Sequence, residues 1–467
     1  MAFLGSLSYV LSVGSSLIGI TFAILYFFKK ESSYALLAIR SVYANAIFIS
    51  IATLSLIVLL LSADFSVVYV ANHVNHALPY FYRFTSVWAG QAGSLLWWNF
   101  LLSLFSAIAL SDISKREAKL IPGMIIVLLL TSLFFTVLGS FTSDSDPFVQ
   151  FVGKQGNKLF LLSQNDGRGL NPLLQHWAMI IHPPILYLGY VSFAVPFAIA
   201  MSVLMLKNIH IKWIPLVRRW TLFSWGFLGF GILLGGKWAY EELGWGGYWA
   251  WDPVENAALM PWLTGTAFLH SVIVQERRNM LKVWNMTLVT ISFLMCIFGT
   301  FLTRSGVVSS VHAFASSNLG PFFTGFMALM AIFSLVLILS RYKELKSDKP
   351  IESFLSREAG FLFNNVILLI ALLTVIWGTM YPVFTEAVYG EKTSVTAIWF
   401  NKWMSPLGLA ILFLTGLGPL LSWRRTSANT LWRNLRFPLL AFLIISIGVF
   451  LYAKISLKEN HFLASLS

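Results

Sequence analysis

The chain has 467 residues, of which 57% are hydrophobic and only 11% are charged. Soluble domains average about 25% charged residues, so this composition excludes an ordinary soluble domain and predicts an all-α, polytopic integral membrane helix bundle. The single cysteine, Cys296, lies in an apolar run, which excludes a disulfide, a Cys-x-x-Cys redox pair and a cysteine metal site within the chain. The formal net charge of +13 raises the question of a nucleic-acid partner.

Twelve apolar stretches are each long enough to cross about 30 Å of hydrocarbon as a helix. The first has neither a basic leading region nor a small-residue cleavage site, so we expect a retained helix and not a signal peptide. In chain order, the predicted helices cover approximately residues 7–28, 42–62, 94–111, 120–140, 175–205, 215–236, 256–275, 285–303, 320–340, 358–381, 403–423 and 437–453.

Basic residues are distributed unevenly between the two sides that these helices define. With the N-terminus placed outside, the inner loops hold most of the 32 lysines and arginines, as the positive-inside rule requires. The basic excess therefore indicates topology, and we predict no nucleic-acid partner. We treat residues 1–467 as one transmembrane domain, whose external loops cover residues 63–93, 141–174, 237–255, 304–319 and 382–402.

The loop at 237–255 ends in an aromatic segment with the sequence Trp245-Gly246-Gly247-Tyr248-Trp249-Ala250-Trp251-Asp252-Pro253-Val254-Glu255. If the segment is helical, Trp245, Trp249 and Asp252 share one face and form a flat aromatic surface. Such a surface suits a large planar π ligand. The alternative is an aromatic belt, since Trp and Tyr are enriched at membrane interfaces. A belt does not, however, place three tryptophans and two acids between glycines.

Two outer histidines flank this aromatic segment in the predicted topology. His182 precedes Pro183 and Pro184, which interrupt helical hydrogen bonding and favour a cavity lining over a lipid-facing position. His312 lies in the loop at 304–319. Two imidazoles beside an aromatic surface are what axial ligation of a haem iron requires. Taken alone, each histidine is explained equally well as a structural hydrogen-bonding residue.

These segments together resemble the CcmF-type haem lyase subunits of cytochrome c biogenesis, which handle haem through a tryptophan-rich "WWD" motif. The resemblance includes His182-Pro183-Pro184-Ile185-Leu186-Tyr187-Leu188-Gly189-Tyr190, and it includes Arg304-Ser305-Gly306 with Ser310-Val311-His312-Ala313-Phe314-Ala315. It continues through residues 69–88, 170–175 and 364–382, and so covers nearly the whole chain. The resemblance implies that His182 and His312 ligate the iron, while the porphyrin is presented by Trp245, Trp249, Trp251 and Asp252.

A third histidine, His270, lies fifteen residues beyond Glu255. At 1.5 Å per residue it is about 22 Å along the predicted helix, towards the inner side. Its surroundings resemble the family position that ligates an integral b-type haem, which implies a third iron ligand here. The alternative is a polar residue that packs between helices and bonds a neighbouring carbonyl.

By resemblance, we expect the membrane core of a haem lyase in a bacterial inner membrane, with its functional loops facing the periplasm. The core would receive haem b from a haem chaperone and present it to the Cys-x-x-Cys-His motifs of apocytochrome c, as part of a holocytochrome c synthase-type enzyme. The apoprotein supplies the thiols, so no side chain is assigned an acid, base or nucleophilic role. Further expected partners are thiol-reducing and apocytochrome-binding maturation proteins and membrane lipid. For the haem propionates, we favour Arg304 among the outer basic residues.

The chain departs from the family pattern in two places. Where the family commonly has a His-Glu-Gly-Ser run, this chain has Gln91-Ala92-Gly93-Ser94. Family members also usually continue into a further external domain and a helix that carries a second b-haem ligand. We find no counterpart of either, so we expect a split or shortened member that is completed by a second CcmF-like chain.

The alternative function is a membrane transporter for haem or another small molecule. Transporters keep their substrate-binding groups near the bilayer midplane and often contain internal repeats. In this sequence the polar and aromatic groups collect at one face, and we detect no internal repeat. The pattern therefore favours haem handling over transport.

Overall fold

The computed structural model describes residues 1–141, 145–155, 158–206, 212–244, 246–308, 310, 318–347, 349–452 and 454. These residues form an all-α, polytopic membrane protein with one small hairpin, which confirms the predicted fold class. The α-helices are α1 (Ala2–Lys29), α2 (Ser32–Leu61), α3 (Val68–His73), α4 (Tyr80–Thr85), α5 (Gln91–Glu117), α6 (Ile121–Phe141), α7 (Trp177–Ser192), α8 (Ala194–Met205), α9 (Ile214–Glu242), α10 (Pro253–Arg278), α11 (Lys282–Arg304), α12 (Gly320–Ser340), α13 (Tyr342–Leu345), α14 (Arg357–Tyr389), α15 (Ala397–Leu417) and α16 (Ala428–Tyr452).

Helices cover most of every predicted range, but the predicted count of twelve spans is not confirmed. Ten segments of the described chain are long and apolar enough to cross a membrane. One of the ten, Gln91–Ser140, contains both α5 and α6, and another, Trp177–Met205, contains both α7 and α8. The polar and charged ends of α9 keep that helix out of the ten, although it continues for 29 residues.

The amino-terminal helices α1, α2, α5 and α6 pack together around a buried network of polar side chains. The Asn45 amide donates to Ser12 Oγ at 3.0 Å. The Ser132 hydroxyl lies 3.1 Å from Asn45 Oδ1 and 2.8 Å from Asn99 Oδ1. Asn99 in turn donates to Thr136 Oγ1 at 2.8 Å. Hydrogen bonds between side chains join helices effectively in an apolar layer, so this network sets the register of all four helices.

A second group of packed helices consists of α7, α9, α10, α11 and α14. Helix α7 packs along α9, and α10 contacts α9, α11 and α14. Large buried rings fill the spaces between these helices and their neighbours, as in the parallel stack of Phe197 on Phe293, with ring centroids 4.3 Å apart. This packing holds α7, α10 and α11 so that their ends meet at the same end of the bundle.

That end is covered by a cap made from α3, α4 and an antiparallel hairpin, β1 (Val152–Gln155) and β2 (Lys158–Leu161). In the hairpin Val152 lies opposite Leu161. Arg83 closes the cap, because its buried guanidinium donates to the carbonyl oxygens of Leu78 (2.9 Å), Leu61 (3.2 Å) and His76 (2.9 Å). We call this end of the bundle the capped end.

The polar network predicts that Asn45→Ala destabilises the protein, because it removes partners from buried hydroxyl and amide groups. A buried polar group that loses its partner costs about 1–3 kcal/mol. The measurement is the midpoint of thermal unfolding in detergent, with Ser50→Ala as the control. Ser50 lies on the same helix, and its hydroxyl donates to Ala46 O within its own turn. Equal midpoints for the two variants would contradict the role of the network.

Candidate functional site

His182 lies on α7 near the capped end, with a defined tautomer. Its Nδ1 is 2.9 Å from the carbonyl oxygen of Gly231 on α9. A carbonyl oxygen only accepts hydrogen bonds, so Nδ1 carries the proton and the lone pair of the neutral ring is on Nε2. This is the arrangement that prepares a histidine to bind a metal through Nε2.

The two prolines after His182 leave a gap in the hydrogen bonding of α7. Proline has no N–H, so Pro183 cannot donate to the carbonyl of Met179 four residues earlier. The indole Nε1 of Trp88 fills the gap by donating to Met179 O at 3.0 Å. The Met179 carbonyl in this proline-containing membrane helix therefore has a hydrogen-bond partner.

Glycines on α9 allow α7 to approach closely at this point. A Cβ atom on Gly235 would lie 2.7 Å from Cε1 of His182, and one on Gly231 would lie 2.8 Å from Cα of Leu186. The Trp238 ring, one turn further along α9, meets the His182 ring edge to face at a centroid distance of 5.8 Å. Small residues and one indole therefore set the position of the imidazole.

A cavity of approximately 550 Å³ opens beside His182. Its volume lies in the range of small-molecule and cofactor sites, about 300–1,000 Å³. The walls are mostly apolar, and the polar side chains that concern its chemistry are His73, His182, Tyr187, Tyr190 and Arg304. A smaller cavity of approximately 110 Å³ shares His182 and Trp238 with the larger one and reaches Trp249 and Glu255.

Arg304 gives the large cavity a buried positive group. It is the last residue of α11, its side chain is 2% exposed, and its Nη2 donates to the Tyr187 hydroxyl at 2.8 Å. A guanidinium held in such a position offers fixed donors to an anionic group such as a carboxylate. Arg304 and His182 thus bring a guanidinium and an imidazole to the wall of one cavity.

His73 is a cavity residue to which we assigned no role from the sequence. Its Nδ1 lies 2.8 Å from Tyr69 O, and its ring stacks on Tyr69 with centroids 4.3 Å apart. Burial lowers the pKa of His73 below its ordinary value, which favours the neutral ring. A Cβ on Gly90 would lie 2.3 Å from His73 Nε2, so the glycine is what makes room for the ring. The close approach of Gly90 to His73 depends on tertiary structure, so no local sequence pattern predicts it.

Residues 246–252 of the tryptophan-rich segment are not helical, so the condition for a shared helical face of Trp249 and Asp252 is not met. Gly246 and Trp251 have φ angles of 70° and 60°, and α10 begins only at Pro253. The Trp251 ring stacks on Phe400 with centroids 5.0 Å apart and an interplanar angle of 8°, and its Nε1 donates to Asn401 Oδ1 at 2.8 Å. Trp251 therefore fastens the segment to α15, while Trp249 meets it edge to face at 5.7 Å.

The two acids of the segment form the start of α10. Asp252 is the N-cap and accepts from the Val254 amide at 3.0 Å, while Glu255 accepts from the amides of Asp252 (3.1 Å) and Ala250 (3.0 Å). This reciprocal capping box is specified by the spacing of the two acids. Asp252 also accepts from the Ser310 hydroxyl at 2.6 Å, and so joins the segment to the loop after α11.

The remaining predicted site residues are separated from this group or lie outside the described residues. Trp245 and His312 belong to the parts of the chain that the structure does not describe. His270 lies on α10, seventeen residues beyond Pro253, and is not among the residues that line the two cavities. Its Nδ1 is 2.6 Å from Nδ2 of Asn364 on α14. The described site therefore brings His182, Trp249, Trp251 and Asp252 to the capped end and keeps His270 apart.

Comparison with known proteins gives consistent matches. The profile of the family described as "Cytochrome C assembly protein" matches residues 88–308. The cytochrome c-type biogenesis protein CcmF of Pseudomonas aeruginosa is 38% identical over 92% of this chain and 64% of its own length. The corresponding values for CycK of Bradyrhizobium diazoefficiens are 37%, 90% and 62%. A solved structure, "Cytochrome c Heme Lyase CcmF", superposes with a TM-score of 0.78 at 33% identity, over 100% of this chain and 68% of that one.

The chain spans a little under two thirds of the length of these curated relatives. Together with the ten candidate spans, the bacterial relatives identify it as an integral protein of a bacterial membrane.

The close approach at Gly235 predicts that Gly235→Ala disturbs His182. The new methyl group must displace the imidazole or separate α7 from α9, and overpacking of this kind costs about 1–3 kcal/mol. The loss of stability is measured as a lower midpoint of thermal unfolding in detergent. Gly226→Ala is the matched control on the same helix, because a Cβ there meets no atom within 4 Å and a helical Gly→Ala change alone favours the fold. A Gly235→Ala protein as stable as the control would show that the contact can relax freely.

Proposed function

This chain belongs to the CcmF-type family of cytochrome c assembly proteins, and on that basis we propose that it acts in the maturation of c-type cytochromes. Its specific task is to hold haem at the capped end and to present it to an apocytochrome. The observation that carries the proposal is His182, whose Nδ1–H is held by the Gly231 carbonyl at the wall of the 550 Å³ cavity. A metal ligand requires the lone pair on the other ring nitrogen, and this hydrogen bond provides it.

The residues at the cavity fit an amphiphilic, planar, iron-containing substrate. The apolar walls suit a macrocycle, and His182 would bind its iron. Arg304, beside Tyr187, would donate hydrogen bonds to a propionate carboxylate. His312, from the loop that Asp252 reaches through Ser310, is proposed as the second axial ligand. Trp249 and the undescribed Trp245 would cover the porphyrin. Trp251 and Asp252 contribute by holding the segment on α15 and on the loop after α11.

The proposed reaction is the addition of two thiols to the two haem vinyl groups. Each thiol S–H adds across a vinyl C=C bond and leaves one new C–S bond and one new C–H bond, so the electron count does not change. The apocytochrome supplies the thiols, and the chain's own residues orient the substrate and exclude water. The natural source of the substrate is proposed to be a haem chaperone that binds at the capped end.

We also propose a resident b-type haem at His270, near the opposite end of α10. The ring is half-buried in a helix interface, where Nδ1 contacts Asn364, and this contact leaves Nε2 as the nitrogen that would bind the iron. His270 would hold such a haem, and the chemistry it would supply is one-electron transfer from an external reductant of the quinol class to the substrate iron; the thiol addition itself consumes no electrons. The remaining proposed partners are thiol-reducing and apocytochrome-binding proteins, with the capped end facing the periplasm.

His182→Gly is expected to abolish cytochrome c maturation when the chain is produced with its natural maturation partners. Added imidazole can occupy the vacant ligand position, so it should restore part of the yield. The measurement is covalent haem in a reporter cytochrome. His176→Gln is the control, because His176 is the N-cap of the same helix but pairs with Glu241 at 3.3 Å and is absent from both cavity walls. Full maturation by His182→Ala, or a purified wild-type protein that carries substrate flux but never haem, would overturn the proposal in favour of transport.

Arg304→Gln is expected to weaken haem retention without abolishing iron ligation. A hydrogen bond to a charged group contributes about 1.5–3 kcal/mol, which corresponds to roughly a tenfold or greater rise in the Kd for haem. The Kd is measured by spectroscopic titration across a salt series. Arg168→Gln removes an exposed guanidinium at the same end of the bundle and should leave the Kd unchanged. Equal Kd values for the two variants would assign the propionates to another residue.

A further inference from the structure

The contact between His270 and Asn364 is short and joins two helices. His270 lies on α10 and Asn364 on α14, and their nitrogen atoms Nδ1 and Nδ2 are 2.6 Å apart. Asn364 is 5% exposed. Phe361, one turn earlier on α14, lies against the His270 ring with centroids 5.5 Å apart. The imidazole is therefore held on one side by a ring and an amide of the same helix.

The amide of Asn364 can pair with either neutral form of the imidazole. As the atoms are placed, the NH₂ group donates, so Nδ1 accepts and the ring proton is on Nε2. A half-turn of the amide exchanges its oxygen and nitrogen, which have nearly the same shape. Oδ1 then accepts from Nδ1–H, and the lone pair moves to Nε2. Oδ1 has no hydrogen-bond partner among the described residues, so the rotation breaks no bond that this oxygen makes there.

This behaviour differs from that of His182. The carbonyl of Gly231 can only accept, and it holds His182 permanently in the form with its lone pair on Nε2. The partner of His270 is a side-chain amide, which can either donate or accept a hydrogen bond. Two of the three histidines that we assign to iron, His182 and His270, are thus supported by partners of different kinds, one fixed and one reversible.

We propose that Asn364 is the positioning residue of His270, and that the orientation of its amide selects which ring nitrogen is available to a metal. The inference rests on the proposed haem at His270. In the amide orientation of this structure Asn364 donates, and the neutral His270 ring then carries its proton on Nε2. Iron binding at Nε2 would require the neutral ring to lose that proton to water and to take one from water at Nδ1, so that its charge is unchanged, and the turned amide would accept from Nδ1–H. The same hydrogen bond then orients the ring and makes the ligand more basic.

Asn365 supplies a matched control. It follows Asn364 in sequence and is fully buried, and neither atom of its amide has a hydrogen-bond partner in the part of the chain that the structure describes. Asn365→Leu removes a buried amide of the same size one position away, without touching the contact with His270. Any effect of Asn364 variants that this control reproduces is an effect on packing alone.

The experiment compares Asn364→Leu, Asn364→Asp, Asn365→Leu and His270→Ala in the full chain purified with its partners. Haem titration and the reduction potential of the bound haem are the first readouts. Asn364→Leu should raise the Kd for haem by about 10- to 100-fold, as loss of an outer-shell partner of a metal ligand generally does. It should also raise the reduction potential, because the ligand becomes less basic. Asn364→Asp, which can only accept when ionised, should lower the potential. The Asn365→Leu protein should match the wild type in both readouts.

A second readout does not depend on haem. Nitrogen-15 NMR of histidine-labelled, haem-free protein reports which ring nitrogen of His270 is protonated, with His270→Ala identifying the signal. Wild-type protein should show Nε2–H, and Asn364→Asp should shift the proton to Nδ1. A haem that depends on His270 but is insensitive to Asn364→Leu, or a His270 tautomer that no Asn364 variant changes, would overturn the inference. Absence of any His270-dependent haem would instead overturn the proposed haem at His270, and the NMR result would still decide the role of Asn364.

Discussion

The hydrogen bond from the Trp88 indole to the Met179 carbonyl is the interaction on which the capped end depends. Helix α7 has to pass through an apolar layer with two consecutive prolines, and a backbone carbonyl left without a partner there costs several kcal/mol. Trp88 comes from a different part of the chain, the start of α5 and its preceding loop. One indole therefore compensates for the hydrogen bond that Pro183 cannot make, and Pro183 lies beside His182 in the wall of the large cavity.

In the tryptophan-rich segment, residues proposed to contact the substrate also attach the segment to neighbouring elements. The Trp251 indole N–H donates to Asn401, and its ring stacks on Phe400. The Asp252 carboxylate accepts hydrogen bonds from the start of α10 and from Ser310. A loop that must offer a precise surface to a large substrate needs such attachments, since a site held by loops alone positions its ligands poorly. Removal of Trp251 would therefore act on the geometry of the loop as well as on any contact with a substrate.

The positions of the helices were predictable from sequence, whereas the contacts within the site were only partly so. A run of apolar residues must become a helix in lipid, so all twelve ranges contain one. The prolines beside His182 predicted a gap in hydrogen bonding, but its donor lies 91 residues away. Trp249 and Asp252 do not share a helical face, because the helix begins only at Pro253, after the glycines and at the capping box. His73 was missed because its place in the cavity depends on Gly90, which belongs to another element.

The way Arg83 closes the cap has a consequence for acid tolerance. Its three hydrogen bonds end on the backbone carbonyls of Leu61, His76 and Leu78, and these acceptors do not titrate. A cap closed by a carboxylate would loosen as protons neutralised that partner, since ion pairs contribute stability only while both groups are charged. Guanidinium and carbonyl keep their roles at any pH that a cell envelope meets. These three contacts of Arg83 are thus insensitive to the acidity of the medium, whichever compartment the cap faces.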